Sequence, residues 1–493
     1  MPTKYLSQDT APFYIAETGS KKLSDLLWGD HLQVLEVGAA RTKVKARAKT
    51  GWVSNSAIGD ESLLEIYFID VGQGDGVLIR TPDNRHIMID GGYKRRSQPS
   101  GKNAADFVDW KFAKEYGLSR IHLDVMMASN NDADHYGGLS DLLDVSQNAE
   151  LDAQDVRVDR FYHAGVGWWV NPADGKRWLG PASADGKFLT QLVGNRQQVV
   201  SALQPNAAPR LQGEWADFLR NVTQTKTSTG SNTPIKRLSN RDGFVPGFDG
   251  ANGGVALHIL APVEKRLGNT PVLHRFAAEN SQNTNGNSLL LRLDYGRTRI
   301  LLTGDLNTNS QRQLLDDYSG NRIEFLCDVA KACHHGSDDI SYEFLAAMHP
   351  AVTIISSGDA EGHDHPRPSV VAASATTGYL EIANDRLVSP LVYSTELART
   401  TNLGEPSKVT INDPAGNTVI PEDQLNTVTV EAKVTKAGDL NPTTVYRRLN
   451  RTYIVAGLIY GLVNVRTDGN KILCATMNEK TRSWHIKKLT SRF

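Results

Sequence analysis

Four apolar runs in this chain each end on aspartate or histidine, and no other feature of it constrains the fold as tightly. Ile121–Ala128 (IHLDVMMA) runs into Ser129-Asn130-Asn131-Asp132-Ala133-Asp134-His135, and Arg299–Leu302 leads through Thr303-Gly304 to Asp305. The run before Cys333 ends on His334-His335-Gly336-Ser337, and His365-Pro366 follows a fourth. Strands that discharge polar residues at their carboxyl ends are where α/β sheets place ligands. An Asp/Asn-rich turn capping a helix from Leu139 would explain the first motif alone, but not all four ends together. Two carboxylates and an imidazole within four residues are costly to bury without a counter-charge. Carboxylate oxygen together with neutral imidazole suits Zn²⁺, Mn²⁺ or Fe²⁺. The four ends are therefore expected to assemble one divalent-metal site at a sheet edge.

The rest of the chain arranges itself around that core. Residues 1–60 carry short β-rich segments, His31–Val37 and Lys43–Ala48, divided by turn signals at Trp28-Gly29-Asp30 and Lys49-Thr50-Gly51. Further strands are expected at Ile66–Gly72, His86–Gly92, Val156–Tyr162, Val255–Leu260, Ser288–Leu293, Phe325–Ala332 and Val352–Ser356. Residues 165–254 turn polar and hold Trp168, Trp169 and Trp178 early on, which reads as an insertion over the core. Residues 401–493 read as a β-rich C-terminal segment completing the core, with a hairpin about Asp468-Gly469. Residues 61–400 are the expected catalytic domain.

In chain order, Asp70-Val71-Gly72-Gln73-Gly74-Asp75, Ile89-Asp90-Gly91-Gly92, Asn130–His135, Asn285-Gly286-Asn287-Ser288, Thr303-Gly304-Asp305, HHGS and His365-Pro366 form a series. It resembles the metallo-β-lactamase fold, and specifically the nuclease-like domain of ComEC-type competence proteins and their stand-alone relatives. The resemblance covers roughly residues 64–400 without the insertion. It implies an α/β protein with a four-layer αββα sandwich and hydrolysis of a phosphodiester by a metal-activated water. The first residues resemble an SH3-like β-barrel of the bacterial type, closed by Gly51-Trp52-Val53. Residue by residue, the resemblance carries metal ligation to Asp132, Asp134, His135 and Asp305. The later imidazole comes from His334 or His335, with His365 also close, and catalytic duty falls to Asp132, Asp134 and His335. Asn130 stands where a histidine is usual, which weakens one of two metal positions, so Zn or Mn is expected as one or two ions. His163 is a positional candidate for a further imidazole ligand. Ser337, Lys331 and Arg367 are candidates to contact phosphate, with a plain surface charge as the alternative for the two cations; Trp168 and Trp169 either stack bases or form an apolar anchor that pins the insertion to the core. Asp70 and Asp75 are expected to hold their turn, Asp90 to support a ligand, and Cys333 to be buried.

Composition then limits partners. Fifty-four Lys+Arg against 55 Asp+Glu leaves a net charge of −1, which excludes a globally basic nucleic-acid coat. A nucleotide, a short oligonucleotide or a single strand fits better than long duplex DNA, and Arg447, Arg448 and Arg451 read as a solvated basic face. Three cysteines are too few for a disulfide framework. Without a signal-peptide pattern at the start, a cytoplasmic protein is expected, with no membrane partner; Tyr453–Val465 is too short to span one. A protein or peptide partner is expected for the SH3-like segment. Two other classes remain open: a catalytically weakened binding module, and a hydrolase of a non-phosphate ester or lactam.

Overall fold

Strands buried on both faces carry near-continuous apolar sequence, and in the computed structural model such segments build two large mixed sheets. The structure describes residues 3–97, 103–146, 151–358, 363, 365–396, 408–413, 416–421, 424, 429–434, 443–448, 462–478 and 481–493. The first sheet has nine strands, ordered Ile235–Arg237, Phe161–His163, Val125–Ala128, His86–Ile89, Val77–Arg80, Leu64–Phe68, Val463–Thr467, Lys471–Asn478 and Ser483–Thr490. The second has seven: Phe244–Asp249, Ala256–Ala261, Leu290–Tyr295, Thr298–Leu302, Val329–Lys331, Val352–Ile355 and Leu391–Ser394.

Alternation along the strands sets the layers. On one face of the first sheet, Leu78, Met88, Met126 and Phe161 pack with Val108, Leu139, Leu142 and Phe218, which come from helices Ala104–Asp109, Ala133–Leu143 and Gly213–Gln224. On one face of the second, Leu260, Leu290, Leu301 and Ala330 pack with Leu314, Phe344, Met348 and Val370 from helices Thr308–Asp317, Tyr342–Met348 and Pro368–Thr377. The intervening residues, among them Ile79, Ile87, Val125, Ile300, Val329 and Ile354, are also fully buried. A buried hydrogen bond between the Thr298 and Thr467 hydroxyls (2.8 Å) ties one sheet to the other.

Two expected strands divide. Ile121–Ala128 becomes Arg120–Leu123, paired with Asp155–Val158 in a small separate sheet, and Val125–Ala128 in the nine-stranded one. The break falls at Asp124, whose carboxylate accepts the His86 N–H (2.8 Å). Val156–Tyr162 divides likewise, into Asp155–Val158 and Phe161–His163. The helix expected from Leu139 begins at Ala133.

Residues 3–59 form a seven-stranded antiparallel sheet around Leu6, Phe13, Leu26, Leu32, Val44 and Val53. Its contacts with the main body are extensive. Leu27 and Trp28 pack with Leu473 and Ala475. Buried Arg466 donates to Trp28 O (2.6 Å) and pairs with Asp30 (2.8 Å).

The 401–493 segment, in which residues ~400–440 read as a loop-rich β appendage rich in Thr, Asn and Pro, divides in the structure. Residues 399–456 are a compact unit by themselves, with hairpins Lys408–Asp413/Gly416–Pro421 and Thr429–Val434/Thr443–Arg448. Residues after 457 belong to the body and supply three strands of the nine-stranded sheet. Arg451 and most of Tyr453–Val465 lie outside the described residues. Among the described residues no helix is long and apolar enough to cross a membrane.

Candidate metal centre

Asp134 and His135 enter the centre on the first turn of helix Ala133–Leu143, where the positive end of the helix dipole favours a carboxylate. The strand Val125–Ala128 feeds that turn, and the Asp70–Asp75 loop lies against it. Gly74 has φ +117°, and a Cβ there would meet Asp134 O at 2.1 Å, so the DVGQGD glycine permits an approach no side chain would. Asp305 arrives from the second sheet after strand Thr298–Leu302. His335 follows strand Val329–Lys331 on a turn where His334, His335 and Gly336 all have positive φ (47°, 53° and 81°). Two such non-glycine residues cost about 1–3 kcal/mol each and persist because the surrounding contacts hold them.

The result is a buried knot of four side chains. Ligand atoms of Asp134, His135, Asp305 and His335 lie within 4.8 Å of one another. Both imidazoles address one oxygen: His135 Nε2 is 2.9 Å and His335 Nε2 3.0 Å from Asp305 Oδ2. Asp134 lies 3.4 Å from His335 Nε2 and 3.8 Å from His135 Nε2. Each ring is oriented from behind. His135 Nδ1 is 3.0 Å from Asp90 Oδ2, while Asp90 also accepts the Ser129 N–H and hydroxyl. His335 Nδ1 is 3.1 Å from Asp75 Oδ1, and Lys331 Nζ clamps the other Asp75 oxygen at 2.5 Å. His335 Nδ1 is also hydrogen-bonded to Ser356 O (3.3 Å), so oxygens behind each histidine, Asp90 for one and Ser356 O with the Asp75 charge for the other, leave Nε2 for an ion.

Electrostatics follow from this crowding. Burial alone would push Asp134's carboxyl up, but His135 and His335 hold it down at about 2. Burial works against charging both imidazoles too, yet Asp305 and its neighbouring carboxylates raise them well above the ordinary histidine value. The donor set therefore attracts positive charge. Two carboxylates and two imidazoles are the hard and borderline donors that Zn²⁺ or Mn²⁺ takes, so the residues fit a divalent ion.

The other expected ligands stand outside this knot. Asp132 Oδ2 accepts the Thr284 hydroxyl (2.6 Å), and burial pushes its carboxyl up to about 7. His334 turns its Nε2 to the Asn285 amide (3.3 Å), and His365 has its ring centroid 6.0 Å from that of His334. Adjacent His334 and His335 are thus separated by the turn, and His335 is the imidazole that joins the cluster. His163 is buried against Phe161 and Trp215, and its Nδ1 accepts the Gly165 N–H.

The expected phosphate contacts are also corrected in part. Lys331 is buried, held by Asp75 and by Gly304 O (2.9 Å), which commits its ammonium to the centre's frame. Ser337 is buried, and its hydroxyl accepts the Asp339 N–H (3.3 Å). Arg367 caps helix Pro368–Thr377, and its N–H donates to Gly336 O (2.8 Å). Trp168 and Trp169 are 4% and 3% exposed inside the first sheet's core, which leaves no ring face for stacking. Trp168 instead donates its Nε1–H to Asn131 O (2.9 Å), bracing the ligand loop. Cys333 is buried as expected. The residues not foreseen as partners are Asp75 and Lys331 acting on His335. A lysine inside an apolar run, facing an aspartate in a glycine-rich turn, was the available signal.

No protein-family model matches the chain. It is 38% identical over 87 residues to competence protein ComA of Neisseria gonorrhoeae, covering 17% of this chain and 12% of that protein. It is 30% identical over 318 residues to ComE operon protein 3 of Bacillus subtilis (strain 168), covering 62% of this chain and 30% of that protein. The chain thus spans less than a third of either curated relative. Among solved structures it is similar to a metal-dependent hydrolase from Parabacteroides distasonis ATCC 8503, at 10% identity and a TM-score of 0.28 over 71% of this chain and 95% of the other. It is also similar to a metal-dependent hydrolase of the beta-lactamase superfamily, at 14% identity and a TM-score of 0.31 over 66% and 100%.

Proposed function

We propose that this protein is a metal-dependent hydrolase of the metallo-β-lactamase fold that cleaves a phosphodiester in a nucleotide or nucleic acid. The observation that carries the reading is the convergence of Asp134, His135, Asp305 and His335 from two sheets within 4.8 Å. The two sheets with helices on their outer faces are read as the four-layer sandwich, and residues 3–59 as its SH3-like companion, which offers a docking surface to a protein or peptide.

A divalent ion on these four residues would supply Lewis acidity and activate water at neutral pH. The chain's own residues do the rest. Asp90 and Asp75 hold the two imidazoles in one orientation, so their Nε2 atoms need no rearrangement to bind. Lys331 holds Asp75 and offsets part of the negative charge. Asp132, beside Asp134 and held by Thr284, is placed to hold a proton at its carboxyl during hydrolysis. The order of motifs shared with the competence-protein domain supports a phosphodiester, and the near-zero net charge argues against tight, salt-driven binding to long duplex DNA.

The test is a panel of single-stranded, duplex and cyclic nucleotide substrates with Mn²⁺, Zn²⁺ and Mg²⁺ supplied in turn. Cleavage that needs metal and disappears in Asp305→Ala is the expected result. Metal binding with no phosphodiester cleaved, but turnover of a lactam or non-phosphate ester, would redirect the reading to that bond.

A further inference from the structure

We infer that Arg177 is a phosphate anchor beside the candidate centre, where it holds a second phosphate of the substrate next to the one that is cut. This rests on the phosphodiester reading above and deepens it by naming the substrate class, a nucleotide that carries a further phosphate besides the scissile one.

Arg177 lies in the 165–254 insertion, on the short strand Arg177–Trp178, which pairs with Trp169–Val170. Its guanidinium carbon is 4.0 Å from the centre of the Trp168 ring. That ring is buried, and its Nε1–H holds Asn131 O, one residue before Asp132. A guanidinium stacked on an aromatic face keeps its N–H edge for a planar, two-point grip on phosphate. Here the edge is available. Arg177 is exposed, and among the described residues its guanidinium makes no hydrogen bond and no ion pair. The insertion's other arginines, Arg196, Arg210, Arg220, Arg237 and Arg241, each address a carbonyl or a carboxylate.

Two further observations set this cation beside the centre. Burial, then Glu214 and Asp132, raise the hydroxyl of Tyr136, the residue after His135, and Arg177 works against them. One hydroxyl thus senses both Arg177 and a carboxylate that borders the knot. The insertion is also fastened on either side of Arg177. Trp168 ties it to the loop that carries Asp134 and His135, and Phe188–Leu189 pairs with Thr270–His274, ahead of helix Asn280–Gly286, whose Thr284 reaches Asp132. A side chain on a segment held at both ends loses little freedom on binding. Trp168 and Asn131 stand between Arg177 and the four-residue knot, so the anchor grips a neighbouring phosphate and not the one attacked.

The experiment uses the full chain with Mn²⁺ and two dinucleotide probes joined by a phosphorothioate, which resists cleavage. One probe carries a terminal phosphate, placed at either end in turn, and the other carries none. In titration calorimetry the phosphorylated probe should bind the wild type about tenfold more tightly, Arg177→Gln should erase that difference, and Arg177→Lys should restore part of it. Equal affinities in the wild type, or a preference that survives Arg177→Gln, would overturn the anchor and leave the hydrolase reading standing. So would an equal loss for both probes in Arg177→Gln, which is what mere bracing of Trp168 would produce. Cleavage of the matching phosphodiesters is read separately: Arg177→Gln should raise KM for the phosphorylated one and leave kcat unchanged. A tenfold preference with neither phosphodiester cut would keep the anchor and overturn the hydrolase reading.

Discussion

The body of this protein buries two clusters of charge, and they are built on opposite principles. Beneath the N-terminal sheet, Glu65 pairs with Arg80 (2.8 Å), Lys111 with Glu115 (2.8 Å) and Arg466 with Asp30 (2.8 Å). Three carboxylates meet three cations there, and the Tyr67 hydroxyl accepts from Lys111 (2.7 Å). At the candidate metal centre, Asp75, Asp90, Asp134 and Asp305 crowd two imidazoles and one ammonium, that of Lys331. The first cluster balances itself and serves as a joint. The second lacks positive charge, and that deficit is what marks it as a binding site.

The largest expected effect comes from breaking the balanced joint. Arg80→Met removes the ion pair at one Glu65 oxygen and leaves three buried carboxylates facing two cations, and should cost about 3 kcal/mol in urea denaturation whether or not metal is present. Asp305→Ala should do something different, abolishing metal uptake and with it the stability that a bound ion adds. Chelation should therefore destabilise the wild type by about 2.7 kcal/mol relative to an ion held at a hundred times its dissociation constant, and leave Asp305→Ala unmoved. If both proteins respond equally to chelator, the contrast between the clusters fails.

Asp90→Asn tests the support behind a ligand. It keeps the shape but weakens the hold on His135, so metal affinity by titration calorimetry should fall 10- to 100-fold. An unchanged affinity would mean that Asp90 serves only Ser129.

His86 sharpens the comparison through pH. Burial first, then Arg80 and Lys111, lower its imidazole to about 3. The unfolded chain takes up a proton near pH 6.5 and the folded one does not until about pH 3, so stability is lost as pH falls through that window. Between pH 6.5 and 5 the loss should be about 2 kcal/mol, and His86→Phe should remove that share of the slope. The smallest effect belongs to Asn130→His. An imidazole there should strengthen a weak second binding step in calorimetry, and identical isotherms would show that position 130 does not reach the centre.

The residue types that gather at the candidate centre were legible in the sequence because an aspartate or histidine at the end of an apolar run has few other reasons to be there. Which histidine serves was not legible. His334 and His335 are neighbours in sequence, yet positive φ at both sends one ring to Asn285 and the other to Asp305. For the tryptophans two readings stood open, base stacking and an apolar anchor for the insertion, and burial of Trp168 and Trp169 in the core favours the anchor. The insertion's strand Ile235–Arg237 also joins the nine-stranded sheet.

By itself, then, the sequence determined the α/β class, the run of strands and the chemistry available at their ends, since these follow from local apolar patterning and residue type. Tertiary structure decided that Asp75 and Lys331 stand behind His335, that His335 and not His334 joins the cluster, and that Asn130 bonds to its own loop. Such choices depend on contacts between residues far apart in the chain, or on one backbone angle at a turn, and neither leaves a periodic trace in the sequence.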